Sequence, residues 1–260
     1  MRVLEPNTVT IIPTNTCTAA CRHCSMNSGP TRSDRLSGDR LEKILDQLFA
    51  ASDVSVVVFS GGESTLVGED LNRALRKCKA RGVVSRLVTN AYWAVSVDAA
   101  LDKLRELRAA GLDELNISTD DFHLPYVSLQ KVKNAFQAAS QIDFKSVVIC
   151  NAYGPDSWLT PDRLNAEFGA GGDLKMRFDG NGKSIVHEQR AGETMIMLSN
   201  GVAMQLGRGV QGIDDSELVK HGPGDGWHEL YQLAEQVGGC PWAIRSATIS
   251  AKGNLLACCG

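Results

Sequence analysis

The chain is organised around a stretch near its start, Cys17-Thr18-Ala19-Ala20-Cys21-Arg22-His23-Cys24. Its first two cysteines are separated by three residues and its last two by two, and the apolar run at 9–13 predicts a strand just before it. Thiolates are soft ligands that hold iron–sulfur clusters or zinc. Because a cubane cluster has four irons, three cysteines leave one iron for another ligand. Zinc stays an alternative, since His23 offers a fourth ligand in the same loop.

A second motif follows the next predicted strand, the apolar run Val-Ser-Val-Val-Val-Phe at 54–59. A run this apolar is typical of a parallel strand that is buried on both faces. It ends in Ser60-Gly61-Gly62-Glu63, and paired glycines permit a close approach of the backbone to a ligand. A ligand's ammonium group can then meet main-chain carbonyls and the carboxylate of Glu63. Taken alone, however, the glycine pair favours an ordinary turn.

The spacing Cys17-x3-Cys21-x2-Cys24 resembles the signature of the radical S-adenosylmethionine (SAM) superfamily, and Gly61-Gly62-Glu63 resembles its GGE motif. The resemblance implies that the three cysteines hold a [4Fe–4S] cluster whose open iron is chelated by the amino and carboxylate groups of SAM. It also implies that reduction cleaves SAM to methionine and a 5′-deoxyadenosyl radical, which takes a hydrogen atom from the substrate. An electron donor such as flavodoxin or ferredoxin is therefore an implied partner.

Further cofactor contacts are expected where later strands end. The fourth predicted strand runs into Ser118-Thr119-Asp120-Asp121-Phe122-His123, and polar strand ends of barrels face the active site. The resemblance assigns Ser118 and Asp120 to the SAM ribose, whereas Asp121 and His123 are candidates for substrate contact or proton transfer. His123 fits a turn residue slightly better. The expected cofactor-binding residues are His23 through its main chain, Ser60, Gly61, Gly62, Glu63, Asn90, Ser118, Asp120 and, if it points inward, Arg177.

Strands and helices alternate through about residue 180, which predicts an α/β fold with parallel strands joined by right-handed crossovers. The predicted strands lie at 9–13, 54–59, 85–89, 115–118, 145–150 and 175–178. Six such units fit the partial (β/α)6 TIM barrel that the resemblance implies. We therefore expect residues 1–180 to form the barrel core.

The last third, residues 181–260, is expected to form a small C-terminal extension. Asn200-Gly201 is a strong turn signal and predicts a hairpin between 195–198 and 202–206. A second hairpin is predicted between 247–250 and the run that begins at Leu255, with Lys252-Gly253-Asn254 as its turn, and Cys240, Cys258 and Cys259 flank it. This region resembles the twitch or SPASM regions of some radical SAM enzymes, which implies a possible second iron–sulfur cluster. A full SPASM domain needs more cysteines beyond Gly260, so either the chain is truncated or a reduced site takes a fourth ligand from the substrate or elsewhere. The alternative is that the three thiols are two buried cysteines and a spare one.

Composition excludes several other classes. The formal net charge of -3 leaves no basic footprint for nucleic acid. The N-terminus has no apolar signal-peptide region, and no run of about 18 apolar residues predicts a membrane span. These features predict a cytoplasmic location without a membrane partner.

Two classes of function remain. The first is a radical SAM enzyme that acts on a ribosomally made peptide or, alternatively, oxidises or otherwise modifies a small metabolite. Radical SAM proteins with such extensions often modify peptides, so the resemblance slightly favours a peptide substrate. The second is a non-catalytic iron–sulfur or zinc protein that senses redox state, which predicts no cleavage of SAM.

Overall fold

The structure is a computed structural model that describes residues 7–169, 173–179, 182–219 and 246–256. Its strands form one open ten-stranded sheet in the order β10-β9-β1-β2-β3-β4-β5-β8-β7-β6. All neighbours from β9 through β8 are parallel, and the outer pairs at both edges are antiparallel. The strands are β1 (Thr8–Ile11), β2 (Val56–Phe59), β3 (Val84–Thr89), β4 (Glu114–Ser118), β5 (Ser146–Tyr153), β6 (Asp173–Asp179), β7 (Gly182–Ala191), β8 (Thr194–Val202), β9 (Ser246–Ile249) and β10 (Leu255–Leu256).

Five helices of eight or more residues connect the parallel strands in the described part of the chain. Side-chain caps at Ser37, Ser96 and Thr160 accept backbone N–H groups at the starts of three of them, as expected for hydroxyl N-caps. A left-handed glycine, Gly82, ends the second. The helices are α1 (Gly38–Ala51), α2 (Glu69–Arg81), α3 (Val97–Ala110), α4 (Leu129–Ala139) and α5 (Pro161–Phe168).

The parallel strands have two different faces. Along β3, residues alternate between buried and partly exposed, and β1 and β4 follow the same period of two. The buried face packs under the helices and includes Ile11, Leu87 and Ile117, each 0% exposed. The opposite face carries polar residues such as Thr10 and Asn116 and lines a cavity. The apolar face anchors the helices, and the polar face is left for a ligand.

The predicted parallel partial barrel is confirmed, but the sixth parallel strand was assigned wrongly. Residues 175–178 do lie in a strand, β6, yet β6 pairs antiparallel with β7. The connection from Asp179 to Gly182 is too short for a crossover helix, so it forms a hairpin. The strand that continues the parallel series after β5 is β8. The division of the chain at residue 180 stays a prediction.

The predicted hairpin at Asn200-Gly201 is wrong. Strand β8 runs through both residues, and it stays in parallel register with β5 as far as Val202. Asn200 is fully buried, and its Oδ1 accepts a hydrogen bond of 2.9 Å from the side chain of Asn151 on β5. The Asn200 side-chain amide, which would face water in a turn, is therefore hydrogen-bonded between two strands.

The C-terminal hairpin is confirmed, because β9 and β10 are antiparallel and flank a turn at 250–254. The sequence did not predict that β9 also pairs parallel with β1, and so extends the sheet beside the first strand. Cys240, Cys258 and Cys259 lie outside the described residues. None of the helices in the described ranges is long and apolar enough to cross a membrane.

Candidate active site

A cavity of about 750 Å³ occupies the polar face of the sheet. Its walls come from β1–β4 and from the cysteine loop, residues 17–28, which follows the carboxyl end of β1. All three loop cysteines reach it, and Asn7 and Thr8 line it at the other end of β1. A volume of this size is typical of a site for a small ligand or cofactor. The sequence-predicted residues that line it are Cys17, Cys21, His23, Cys24, Ser60, Gly61, Gly62, Asn90, Ser118 and His123.

The three loop cysteines are free thiols with backbone amides directed at two of them. The Ala19 N–H donates to the Cys17 sulfur and the Ser28 N–H to the Cys24 sulfur, both at 3.4 Å. Burial raises the pKa of the Cys17 thiol to about 11, so its thiolate needs a metal cation or another positive partner. Three soft ligands that face an open cavity fit a cluster with one uncommitted iron.

The zinc alternative has a geometric counterpart nearby. The Cys21 sulfur and one ring nitrogen each of His23 and His123 lie within 4.8 Å of one another. Both imidazoles, however, contact Asp120, with His123 Nδ1 at 2.8 Å from Oδ1 and His23 Nε2 at 3.4 Å from Oδ2. Burial lowers the pKa of His123, but the Asp120 carboxylate outweighs burial and holds it well above its usual value. Because a metal-ligating histidine commonly bonds a carboxylate through its other ring nitrogen, these contacts are also compatible with zinc, and the iron–sulfur interpretation rests on the three thiols at the cavity.

Asp120 itself is a buried anchor, 2% exposed. Burial raises its pKa, but the charge and hydrogen bonds of His123, with those of His23, outweigh burial and hold the pKa below its ordinary value. Its Oδ1 also accepts the backbone N–H groups of Phe122 and His123. The His23 ring stacks on Phe122 with centroids 4.5 Å apart. Asp120 therefore ties the cysteine loop to the end of β4, and its expected ribose contact stays a prediction.

The glycine pair is packed against the chain that leads into the cysteine loop. Gly61 has a φ of 115°, and a Cβ there would lie 2.3 Å from Ile12 Cγ2. A Cβ at Gly62 would lie 2.1 Å from the Thr16 carbonyl oxygen. The Gly62 N–H donates to Thr14 O at 2.9 Å, and the next N–H along donates to Thr16 O at 2.8 Å. The two glycines thus allow this loop and the cysteine loop to share one wall of the cavity.

We expect Gly62→Ala to destabilise the fold by about 2–4 kcal/mol, because its methyl group meets backbone that cannot rotate away. The urea midpoint of the metal-free chain measures this. The matched control is Gly82→Ala, at a left-handed position (φ 73°) with open space around the new methyl. It should cost only about 1 kcal/mol. Equal losses in the two variants would contradict the close-packing argument.

Glu63 does not line the cavity. Its side chain is fully buried and accepts hydrogen bonds from Thr65 N, Thr65 Oγ1, Thr89 Oγ1 and Asn90 N at 2.6–3.2 Å. Burial raises its pKa, against the opposing effect of these donors. The carboxylate joins the loops that follow β2 and β3. The ammonium contact expected from the sequence stays a prediction.

Asn90 links the end of β3 to the cysteine loop. Its side-chain amide donates to Thr18 Oγ1 at 3.1 Å and approaches the Cys17 sulfur at 3.6 Å. Its Oδ1 accepts the Tyr92 N–H at 3.0 Å and so caps the turn after β3. The cofactor contact expected of Asn90 stays a prediction.

Two candidates lie away from the cavity. Asp121 accepts the backbone N–H groups of Trp158 at 2.6 Å and Leu159 at 3.0 Å. Its carboxylate thereby holds the loop between β5 and α5, which leaves it a structural role. Arg177 belongs to β6, which β7 and β8 separate from β5. The topology therefore does not bring its strand beside the cavity-lining strands.

Sequence reasoning missed the residues that follow β8. The Arg208 backbone and side chain contact the cysteine loop, and Arg22 of that loop forms a bidentate ion pair with Glu217. The sequence signal was the run Gly207-Arg208-Gly209, which is separated from the end of β8 by four residues. The wrong hairpin prediction at 200–201 hid that signal.

The Glu217 carboxylate gives a pH prediction. The Arg22 hydrogen bonds lower its pKa from 4.5 to about 2. A lowered folded-state pKa adds stability above the unfolded value of about 4.3, and that stability is lost as the pH falls toward 2. Since Arg22 is half exposed, we expect solvent screening to leave about 1 kcal/mol. Urea melts of the metal-free chain and of Glu217→Gln should converge between pH 4.5 and 2; a constant gap would contradict this.

Comparison with known proteins agrees with the geometry. A family model described as "Radical SAM superfamily" matches residues 11–156. YydG of Bacillus subtilis (strain 168), a protein named for a proposed role in peptide biosynthesis, is 25% identical over 130 residues, 50% of this chain and 41% of YydG. GTP 3′,8-cyclase of Lactiplantibacillus plantarum (strain ATCC BAA-793 / NCIMB 8826 / WCFS1) is 32% identical over 149 residues, 52% of this chain and 42% of the cyclase. The chain thus spans about two fifths of the length of these relatives.

A solved structure shares the fold. The crystal structure of BtrN in complex with AdoMet and 2-DOIA superposes with a TM-score of 0.52 at 11% identity. The match covers 99% of this chain and 74% of BtrN. At this identity the likeness concerns the fold alone, and it supports the open, mostly parallel sheet described above.

Proposed function

We propose a function from the premise that this chain belongs to the radical SAM superfamily, whose model matches more than half of it. Enzymes of this superfamily use a [4Fe–4S] cluster and SAM. We propose that Cys17, Cys21 and Cys24 hold the cluster and that SAM binds beside it in the cavity. The observation that carries this proposal is that three free thiols and the glycine pair line the same cavity of about 750 Å³.

The residues around the cavity have separate roles in this proposal. When bound, the cluster supplies the electron that cleaves SAM, and the cofactor then carries the radical chemistry. The main-chain carbonyls near Gly61 and Gly62 receive the SAM ammonium group, and Ser118 contacts the ribose. Asn90 and Asp120 fix the cysteine loop from behind. Because the helices cover the apolar face of the sheet, the reacting groups are held on the polar face.

We further propose a peptide as substrate. The support is sequence similarity to YydG, a protein named for peptide biosynthesis, over half of this chain. The polar groups on the cavity wall suit peptide amides: Asn116 Oδ1 is buried and has no hydrogen-bond partner, and Arg86 is paired with Glu114. A small metabolite is the second candidate, because a cavity of about 750 Å³ matches small-molecule sites. A flavodoxin or ferredoxin is the proposed electron donor.

The test is anaerobic reconstitution of the full chain with iron and sulfide, followed by an assay for 5′-deoxyadenosine with a chemical reductant. We expect about four irons per chain and SAM cleavage. Iron in excess of one cluster would support the auxiliary site proposed at Cys240, Cys258 and Cys259. A peptide pool and GTP, the nucleotide in the name of the second relative, serve as parallel substrates. A tetrahedral zinc site with no SAM cleavage would support the redox-sensor alternative instead.

A further inference from the structure

The segment after β8, residues 203–218, packs on the cysteine loop, and we call this segment the clasp. Its Ala203 and Ile213 form a buried apolar cluster with Ala19, Cys21 and Phe122. The Ala203 N–H donates to Tyr153 O at 2.8 Å, which fixes the start of the clasp to β5. The clasp lies outside the part of the chain that matches the family model, residues 11–156.

Arg208 is the main polar contact between the clasp and the cysteine loop. Its backbone N–H donates to Cys24 O at 3.0 Å, and its guanidinium donates to Cys21 O at 2.8 Å and to Ser28 O. Three carbonyl groups of the loop, two of them from cysteines, therefore face one residue. A planar guanidinium can reach two of these oxygens at once, whereas an ammonium group is a single point of charge.

Two glycines of the clasp pack directly against the backbone of the cysteine loop and leave no room for a Cβ. A Cβ at Gly207 would lie 2.1 Å from Ser25 O, and a Cβ at Gly212 would lie 2.5 Å from Arg22 O. The Arg22 guanidinium donates in return to Gly212 O at 2.8 Å and pairs with Glu217. The clasp thus contacts the second half of the cysteine loop, from Cys21 to Ser28.

The N–H groups and the carbonyl groups of the cysteine loop have different partners. Amide N–H groups point at the sulfurs of Cys17 and Cys24, while the carbonyl oxygens of Cys21, Cys24 and Ser28 point at Arg208. N–H donors favour the negative charge of thiolate ligands, whereas carbonyl oxygens turned toward them would oppose it. Arg208 binds those oxygens, the ones of Cys21 and Ser28 through its guanidinium and the one of Cys24 through its backbone N–H, beside turn bonds within the loop from Cys24 N–H and Asn27 N–H.

We propose that Arg208 is a positioning residue for the iron–sulfur cluster, because its guanidinium binds the carbonyl groups of Cys21 and Ser28 and so holds the backbone of the cysteine loop in place. This inference rests on the proposed cluster at Cys17, Cys21 and Cys24. It assigns a role to a residue that follows the sixth parallel strand. Its consequence is that loss of the guanidinium loosens the loop even when no metal is bound.

The test compares Arg208→Gln and Arg208→Lys with the control Arg105→Gln, a substitution of an exposed arginine on α3. We expect both Arg208 variants to lose iron to a chelator about tenfold faster than the wild type, from the loss of two charge-assisted hydrogen bonds. In the metal-free chain, amide exchange in residues 17–28 should rise in both, while exchange in 146–153 stays unchanged and shows an intact sheet. The reduced cluster should also show an altered electron paramagnetic resonance spectrum.

A second variant separates the effect of close packing between clasp and loop from the effect of the Arg208 guanidinium. Gly212→Ala introduces a methyl group against Arg22 O and leaves the Arg208 guanidinium in place. It should accelerate iron loss by a smaller factor than the Arg208 substitutions do. Wild-type iron loss and loop exchange in Arg208→Gln, or full retention in Arg208→Lys, would overturn the positioning role. If the wild type itself takes up no cluster, the proposed function fails, whereas increased loop exchange in the metal-free Arg208 variants would still support the clasp.

Discussion

Replacement of Cys17, Cys21 and Cys24 together by alanine will abolish 5′-deoxyadenosine formation. The three thiols are the cysteine sulfurs that line the cavity in the described part of the chain, and without them no cluster can supply the electron. We expect SAM cleavage to fall by more than about a thousandfold, which corresponds to more than about 4 kcal/mol of activation free energy. Iron and sulfide bound at the loop should fall to background in the same preparation.

The matched control is Cys78→Ala. Cys78 is a free thiol on α2 and is fully buried in the apolar core, where burial raises its pKa to about 12. Its loss removes one sulfur without touching the cavity, so iron content and SAM cleavage should match the wild type. SAM cleavage that survives in the triple variant would place the cluster elsewhere and remove the basis of the proposed function.

The fold was predictable where local signals and topology agreed. Parallel strands with helical crossovers leave alternating patterns and capping residues, and the caps at Ser37 and Thr160 are typical examples. Such signals did not show that β8, and not β6, is the strand that continues the parallel series after β5. Asn200-Gly201 has the composition of a turn, but β8 pairs there with β5 and at Asn200 with β7, and Asn151 of β5 adds a side-chain hydrogen bond, so the segment stays extended. Long-range pairing overrode local preference there.

The loops that form the site could be predicted from the sequence, but the role of each side chain in them could not. Consecutive parallel strands deliver their carboxyl ends to one edge, so the loops after β1, β2, β3 and β4 had to meet. Which polar side chain faces the cavity depends on the local backbone conformation at the end of each strand. Ser118 lines the cavity, whereas Asp120, two residues later, is buried against two histidines. The sequence places the two residues close together but does not show that only Ser118 of the pair lines the cavity.

Glu63→Ala is the second large expected effect. The variant leaves the Thr65 N–H, the Thr89 hydroxyl and the Asn90 N–H without their acceptor in a fully buried site. Each unsatisfied buried donor costs about 1–3 kcal/mol, so we expect the free energy of unfolding to fall by about 3–5 kcal/mol. Urea unfolding of the metal-free, SAM-free chain measures this loss directly. Glu193→Ala, which removes an exposed carboxylate beside β8, should change it by less than about 0.5 kcal/mol.

The same variant distinguishes the two roles that Glu63 can have. A carboxylate that only binds the SAM ammonium group would leave the stability of the ligand-free chain unchanged, and only the affinity for SAM would fall. A carboxylate that joins the loops after β2 and β3 must lower stability before any ligand is added, and it must also release Asn90, whose side chain reaches Thr18 and Cys17. We therefore expect Glu63→Ala to lose stability first and cluster retention with it. An unchanged urea midpoint in the ligand-free chain would show that the buried hydrogen bonds of Glu63 do not support the cysteine loop.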